Sequence, residues 1–442
     1  MFVQIIGIVR LTVLYWSALW YFLLCSEGSY KTMNHFGEDT WAKVQVYSLS
    51  LMFKMWDTPH YRSATFQQDL IDNLRNVAIP GTGIPLSVFC YNYFVCLWFV
   101  FFINPLICLC GAINKYSKDE SSSPAHVLLS SYEQHLLHPD DWFSFWQLNC
   151  RLTSAQSMTT KHDDFAYENK WKFLLDGRSA GVPVSPFLDV DHLVCKHMNM
   201  EGGLGIHFFK NALHGGEWII QERMDNCAWL SDLLPGNAPL STMRVITMST
   251  YPLGREENSS DVVCEEELPS ELLGEQASKC VTAATAVLRL GRANASTDHS
   301  SVLFDVDMGS GRIGKGLDNS HWYKLGIHNV WSCPWLPRKD THTKHPDHPN
   351  PVVMGQVIPN MKDALDICVQ SHFKLMKNAP MVGWDVAFTA KGLFLLEVNL
   401  SCNFFKGTFD VPRYINFVDG FWKSVDSRKC LQPNSTKKKK TM

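Results

Sequence analysis

The feature that most limits what this chain can become is a pair of N-terminal runs almost empty of charge. Residues 1–26 hold one charged side chain, Arg10, and none occurs from Asn76 to Asn114. A helix that crosses a bilayer needs about 20 apolar residues, so Phe2–Leu24 and Ile84–Ile113 both meet the length. The first run reads as a retained anchor over 1–26 rather than a cleaved signal peptide, because it is long and no small-residue cleavage site is evident. Arg10 would snorkel to the nearer interface. The second run carries eight aromatic side chains between Phe89 and Phe102 and then Asn104-Pro105, which predicts a kink. A transmembrane helix is expected over 83–114.

Two spans put both chain ends on one side of the membrane, with 27–82 between the spans. Lys115 and Lys118 follow the second run and favour a cytosolic C-terminal side. The 14 cysteines form no paired CxxC framework and read as reduced thiols, which fits the same compartment. Lys439 and Lys440, in the run Lys437–Lys440, resemble a dilysine retrieval signal of endoplasmic-reticulum membrane proteins; a solvated charge run would look the same. These features together predict a multi-pass membrane protein of the endoplasmic reticulum or Golgi with its larger domain in the cytosol. There the sequons at Asn258, Asn294, Asn399 and Asn434 would stay unmodified. A net charge of −3 supplies no field for nucleic acid.

Residues 115–128 read as a linker, 129–425 as the globular domain and 426–442 as a disordered basic tail. The domain pattern predicts helices at Ala125–Leu137, Trp142–Leu152, Lys170–Gly181, Ala277–Leu288 and Asn360–Leu375. Strands are predicted at His192–Lys196, Glu217–Gln221, Met243–Met248, Val302–Val306, Gly383–Phe388 and Leu393–Val398. The fold class is α+β.

The chemistry concentrates in Gly383–Asn399. Two strands flank a tight turn at Ala390–Gly392. Asp385 lies on the first strand, and Glu397 and Asn399, two apart on the second, share a face. Two carboxylates and an amide oxygen in one place form a hard-oxygen set suited to Mg²⁺ held together with phosphate. Acidic groups inside apolar strands also demand partners; an ordinary polar hairpin face is the plainer reading.

The segment GWDVAFTAKGLFLLEVN resembles the last metal-binding hairpin of ATP-grasp proteins, and most closely that of the sugar-transfer-associated ATP-grasp family. The resemblance covers about 130–425 and places other pieces in order. Asn169-Lys170 through Gly181-Val182-Pro183 is similar to the helix and turn before the nucleotide-binding subdomain. Lys196, ending the strand Leu193–Lys196, and the loop Gly202, Gly203, Gly205 correspond to the lysine and glycines that meet phosphates, with Met198–Gly205 as a lid. A lysine is a point charge for phosphate, and glycines let backbone N–H groups approach an anion. His197 stands where proline is usual. Gln221, Glu222 and Met224 fall in the hinge that contacts adenine. Ser241–Thr247 resembles the strand whose arginine, here Arg244, clamps a phosphate or acyl phosphate. Asp305 and Asp307 match an acidic strand of unassigned role, preceded by Arg289 and Arg292. Asp298-His299 and Ser300-Ser301 depart from the family's Asp-Asn and glycine pair. His345-Pro346 resembles the connector before the last helix. Its neighbours His342 and His348 would align for zinc on a helix, but Pro346, Pro349 and Pro351 oppose that helix.

The resemblance implies an ATP-grasp fold and a ligase using ATP and Mg²⁺ (or Mn²⁺). Such an enzyme activates a carboxylate as an acyl phosphate for attack by an amine or another nucleophile. Lys196 and Arg244 would stabilise charge, and Asp385, Glu397 and Asn399 would hold metal. The expected partners are the membrane and a small-molecule, glycan-linked or lipid-linked carboxylate. A phosphotransferase on the same scaffold and a non-catalytic nucleotide-binding membrane protein are the alternatives.

Overall fold

The computed structural model describes residues 2–24, 33–54, 93–118, 124–139, 145–160, 164–199, 204–253, 277–298, 301–318, 341–348, 351–400, 402 and 409–431. Gly202, Gly203, the sequons at Asn258 and Asn434 and the lysine run lie outside them.

The architecture is mixed α+β around a seven-stranded antiparallel sheet. Its strands are β3 (Thr242–Ser249), β4 (Val281–Leu290), β5 (Val302–Val306), β6 (Ile313–Asp318), β7 (Thr341–His342), β8 (Met381–Thr389) and β9 (Gly392–Asn399), in the order β7-β6-β5-β4-β3-β8-β9. Two earlier strands, β1 (His192–Lys196) and β2 (Ile206–Lys210), pair into a separate antiparallel hairpin.

Strand alternation sorts side chains onto two faces. Val382, Trp384, Val386 and Phe388 of β8 join Met243 and Val245 of β3, and Leu288 and Phe304, in one core, closed by the helix Met361–Met376. Within it His372 meets the Thr247 hydroxyl through Nδ1 at 2.7 Å and the Ala379 carbonyl through Nε2 at 2.9 Å. Trp384 Nε1 donates to the same hydroxyl at 2.9 Å. The Ala379 carbonyl can only accept, so Nε2 carries a proton. Burial pushes this ring down to about 4. The opposite face of β3 and β8 presents Ile246, Met248 and Met381 to a second core made by helices.

That second core unites α1 (Phe2–Leu24), α2 (Thr40–Lys54), α3 (Tyr93–Trp98), α4 (Asn104–Lys118), α5 (Pro124–Leu137) and α6 (Phe145–Thr160) with the C-terminal helix Val411–Leu431. Phe2–Leu24 and Phe99–Ser117 are long and apolar enough to cross a membrane. The kink signal at Asn104-Pro105 becomes a π-helical turn, Phe99–Ile103, between α3 and α4. The Asn104 N–H bonds the Phe99 carbonyl, one residue further back than an α-helix requires, which frees the Val100 carbonyl. Pro105 has no N–H for the Phe101 carbonyl. Helix α1 supplies both missing donors: Tyr15 Oη to Val100 O at 2.9 Å and Trp16 Nε1 to Phe101 O at 2.5 Å. Adjacent apolar helices satisfying each other's freed backbone groups is the solution a low-dielectric setting demands.

Several boundaries shift. Ala277–Leu288, read as a helix, is strand β4 from Val281 onward: Val281, Thr282, Thr285 and Val287 are β-branched, and pairing to β3 and β5 overrides the alanine content. Glu217–Gln221 forms no strand; Trp218 and Gln221 make isolated bridges to Asn211 and Phe187. The helix Trp142–Leu152 is found at Phe145–Thr160, and α4 and α5 run into both ends of the expected linker. The C-terminal helix continues to Leu431, six residues into the segment read as tail, because Phe421, Trp422 and Val425 anchor it in the helical core.

Candidate functional site

The site residues lie on the sheet face that also carries the helical core. Cross-strand pairing sets Arg244 of β3 opposite Asp385 of β8, and Asp385 opposite Glu397 of β9. A β-bulge follows at once, Val386 pairing with Leu395 and skipping Leu396; such extra residues re-aim side chains beside functional sites. Gly383, two residues before Asp385, makes room: a Cβ there would stand 2.7 Å from Cys402 Cβ and 3.4 Å from Arg244 Nη1.

Asp385 accepts from Arg244 through Nε and, at 3.0 Å, Nη2, and from Arg289 Nη1 at 3.1 Å. Arg289 also donates Nη2 to Asp298 at 2.7 Å, and Asp298 receives the Thr242 hydroxyl. Burial alone would raise the Asp385 carboxyl. The Arg244 and Arg289 charges and their hydrogen bonds outweigh it and hold the group ionised, well below the usual carboxylate range. Burial likewise acts to lower Arg244, and the Asp385 charge reverses it. The neighbouring Cys402 thiol is pushed up to about 12 by burial, so it stays protonated and unreactive.

Exposure rises along the row, which decides what a ligand can reach. Side-chain exposure is 8% at Arg289 and 7% at Asp385, 27% at Glu397 and 65% at Lys170. Lys170 Nζ lies 3.0 Å from Glu397 Oε2, and Asn399 Nδ2 lies 3.4 Å from Glu397 Oε1. Lys170 opens the helix α7 (Lys170–Ser179), whose Asn169 cap accepts from Trp171 N and Lys172 N.

The expected metal set therefore divides. Glu397 and Asn399 share the accessible end of the row, and their oxygens suit a hard cation. Asp385 carries three guanidinium bonds on its two oxygens, so it reaches a metal only if one of them opens. Among the described residues no group of three His, Cys, Asp or Glu side chains is disposed to hold a metal. Arg244 is brought to this cluster as expected; Lys196 is not. It lies exposed on the β1–β2 hairpin, and Lys170 is the lysine that meets Glu397.

The β1–β2 hairpin is described on both sides of its loop, up to Asn199 and from Leu204 onward. Its turn is closed by the His197 N–H to the Gly205 carbonyl at 2.9 Å, with Gly205 at φ +68. Met198, Leu204 and Phe208 are exposed on it. Of the hinge residues, Gln221 donates to Ser185 Oγ at 2.5 Å, Glu222 pairs with Lys391 in the β8–β9 turn, and Met224 is half-buried. A cavity of about 270 Å³ lies at that turn, lined by Cys227, Trp229, Pro359, Phe388 and Leu393. It sits about four residues along β9 from Glu397, roughly 13 Å at strand rise.

Asp307, Asp347 and His345 are tied into local turns. Asp307 closes a turn by accepting from Ser310 N and Oγ at 2.8 and 2.6 Å. Asp347 takes a two-pronged bond from Arg292, which holds its carboxyl near 2, and His345 meets the Gly291 carbonyl at 2.9 Å. Sequence reasoning gave no role to Arg289, Asp298 or Lys170. The signal for Arg289 was present: one charge in the otherwise uncharged strand Val281–Leu290 must have a buried partner. Comparison with protein-family models, with curated proteins and with solved structures finds no match to this chain.

Proposed function

We propose that this chain is an ATP-grasp enzyme, a ligase that uses Mg·ATP to activate a carboxylate as an acyl phosphate for attack by an amine or another nucleophile. The observation that carries this reading is the Arg289–Arg244–Asp385–Glu397–Asn399 row, which changes from buried cation clamp to accessible oxygen pair across neighbouring strands. In this reading Glu397 and Asn399 hold Mg²⁺, which would offset phosphate charge. Asp385 fixes the two guanidiniums, and donors of Arg244 not committed to it face the transferred group. Lys196, Gly205 and the rest of the hairpin would close over the nucleotide and exclude water. Gln221, Glu222 and Met224 lie on the segment that would border adenine. The substrate class is a glycan- or lipid-linked carboxylate delivered at a membrane on the cytosolic side of the endoplasmic reticulum or Golgi.

The test is ADP release by the purified full chain in detergent with Mg·ATP, over pools of carboxylates and amines, with product masses measured. Substrate-dependent ADP release that Glu397→Gln reduces by at least 100-fold supports the reading. Failure of millimolar Mg·ATP to bind the wild-type chain, or full turnover in the variant, overturns it. A stable phosphorylated product without a new amide or ester would assign the scaffold to phosphoryl transfer instead.

A further inference from the structure

The two apolar helices carry outward stripes along their length. On α1, Phe2, Ile6, Val9, Val13, Trp20 and Leu24 are each more than half exposed and recur at helical spacing. On the second helix, Phe94, Trp98, Phe102, Leu106 and Ile113 are each about half exposed or more and follow the same spacing. Ring contacts join the helices: Trp16 to Phe102 at 5.8 Å and Trp20 to Phe101 at 5.2 Å between centroids. The stripes thus border each other as one apolar band. Its α1 edge carries one charge, the exposed Arg10, and no acidic residue.

The opposite side of α1 is held by the rest of the protein from end to end. Gly7 is so close to Leu129 of α5 that a Cβ would stand 2.6 Å from it, Thr12 bonds Tyr132 of α5 at 2.8 Å, and the Phe22 ring packs at a tilt against Tyr47 of α2, 5.3 Å between centroids. Helix α2 decides the topology. It follows α1 in sequence, and every residue from Ala42 to Leu51 is buried, in a core shared with α6 and the C-terminal helix. The C-terminal helix presents Arg413 and Lys423 outward, and Arg413 bonds Thr282 at the start of β4. If α1 crossed a membrane, α2 would emerge on the far side from α6 and the C-terminal helix, yet the three pack together.

We infer that this protein is monotopic: the band of α1, α3 and α4 enters one leaflet of a lipid bilayer and does not cross it. The described elements then all lie on one side, in place of the two-crossing arrangement read from composition. A leaflet suits the band because acyl chains meet its apolar width, while Arg10 meets acidic headgroups. This inference is independent of the ligase reading.

The test uses the full chain translated with microsomes. Glu38→Asn completes a glycosylation acceptor with Asp39 and Thr40, and Asn434 is a native acceptor near the C-terminus. Two crossings place these positions on opposite sides, so one site is modified and the other is not. They also shield residues 25–92 from protease that digests the C-terminal domain. The monotopic arrangement gives both sites the same state and leaves no such fragment. In parallel, the purified chain should float with phosphatidylcholine vesicles containing phosphatidylserine. Ile6→Glu with Val9→Glu should reduce flotation at least tenfold while the unfolding midpoint is kept. One-sided modification with a protected fragment overturns the inference. So does failure of the wild type to float, or a dimer that the double variant dissociates.

Discussion

The buried carboxylate at the centre of the site makes a prediction that separates its anchoring role from metal binding. In Asp385→Asn, Arg244 loses both of its carboxylate bonds and Arg289 loses one of its two carboxylates, keeping Asp298. Arg244, Arg289 and Asp385 have side chains only 12%, 8% and 7% exposed, so water cannot replace what is removed. Taking one partner from a buried ion pair costs about 3–5 kcal/mol. Asparagine retains one acceptor oxygen but turns amide N–H groups toward guanidinium N–H groups. Because Arg289 keeps Asp298, the loss should fall near the lower end, about 3 kcal/mol. Urea unfolding of the full chain in detergent, with divalent metal chelated, reads this as a lowered midpoint at unchanged slope. Glu397→Gln is the contrast. Its partner Lys170 is 65% exposed, so loss of that pair costs under about 1 kcal/mol. A loss below about 1 kcal/mol for Asp385→Asn, or a larger loss for Glu397→Gln, would refute the division of roles.

Two further outcomes follow from buried groups elsewhere. His372 is held neutral with its folded value near 4 against an ordinary 6.5, so below pH 6.5 the unfolded chain gains a proton that the native state refuses. Stability should fall by about 3 kcal/mol as pH drops from 6.5 to 4; a His372→Gln chain with the same slope would show that another group is responsible. Trp16→Phe keeps an aromatic ring against Phe102 but removes the donor to the Phe101 carbonyl, so it should cost about 1–3 kcal/mol. An unchanged melting temperature would mean that the carbonyl has found another donor.

What was legible in the sequence was local. The β8–β9 hairpin was readable because alternation, the turn at Ala390–Gly392 and its acidic residues all act within 19 residues, and Gly392 at φ +118 occupies the turn as expected. Strands His192–Lys196 and Val302–Val306 fall at their expected bounds, and Met361–Met376 within a residue of its own. The rest depended on pairings far apart in the chain. Alanine-rich β4 looks helical until β3 and β5 flank it. Lys170 reaches Glu397 across 227 positions, and nothing near either residue signals the contact. Composition gave two apolar helices correctly, but the packing of α2 against α6 was hidden, because Lys43, Gln45, Ser48 and Ser50 disguise a stretch buried from Ala42 to Leu51 as a polar connector.

The helical core and the polar row are not separate layers, because Asn149 of α6 ties them. It donates Nδ2 to the Cys402 carbonyl at 2.7 Å, beside Asp385, and accepts the Tyr414 hydroxyl at 2.8 Å. All three groups are buried. Asn149→Leu keeps similar volume and removes both bonds, so it should cost about 2–4 kcal/mol from two desolvated polar groups. If the chain Cys402–Gly383–Asp385 is as closely packed as Gly383 requires, the variant should also lower ligand binding at the row, which Asn149 does not touch. Equal loss of stability without any change in Mg·ATP affinity would show that helices and site merely share a sheet. Loss of both would show that α6 and the helical core hold the site in shape.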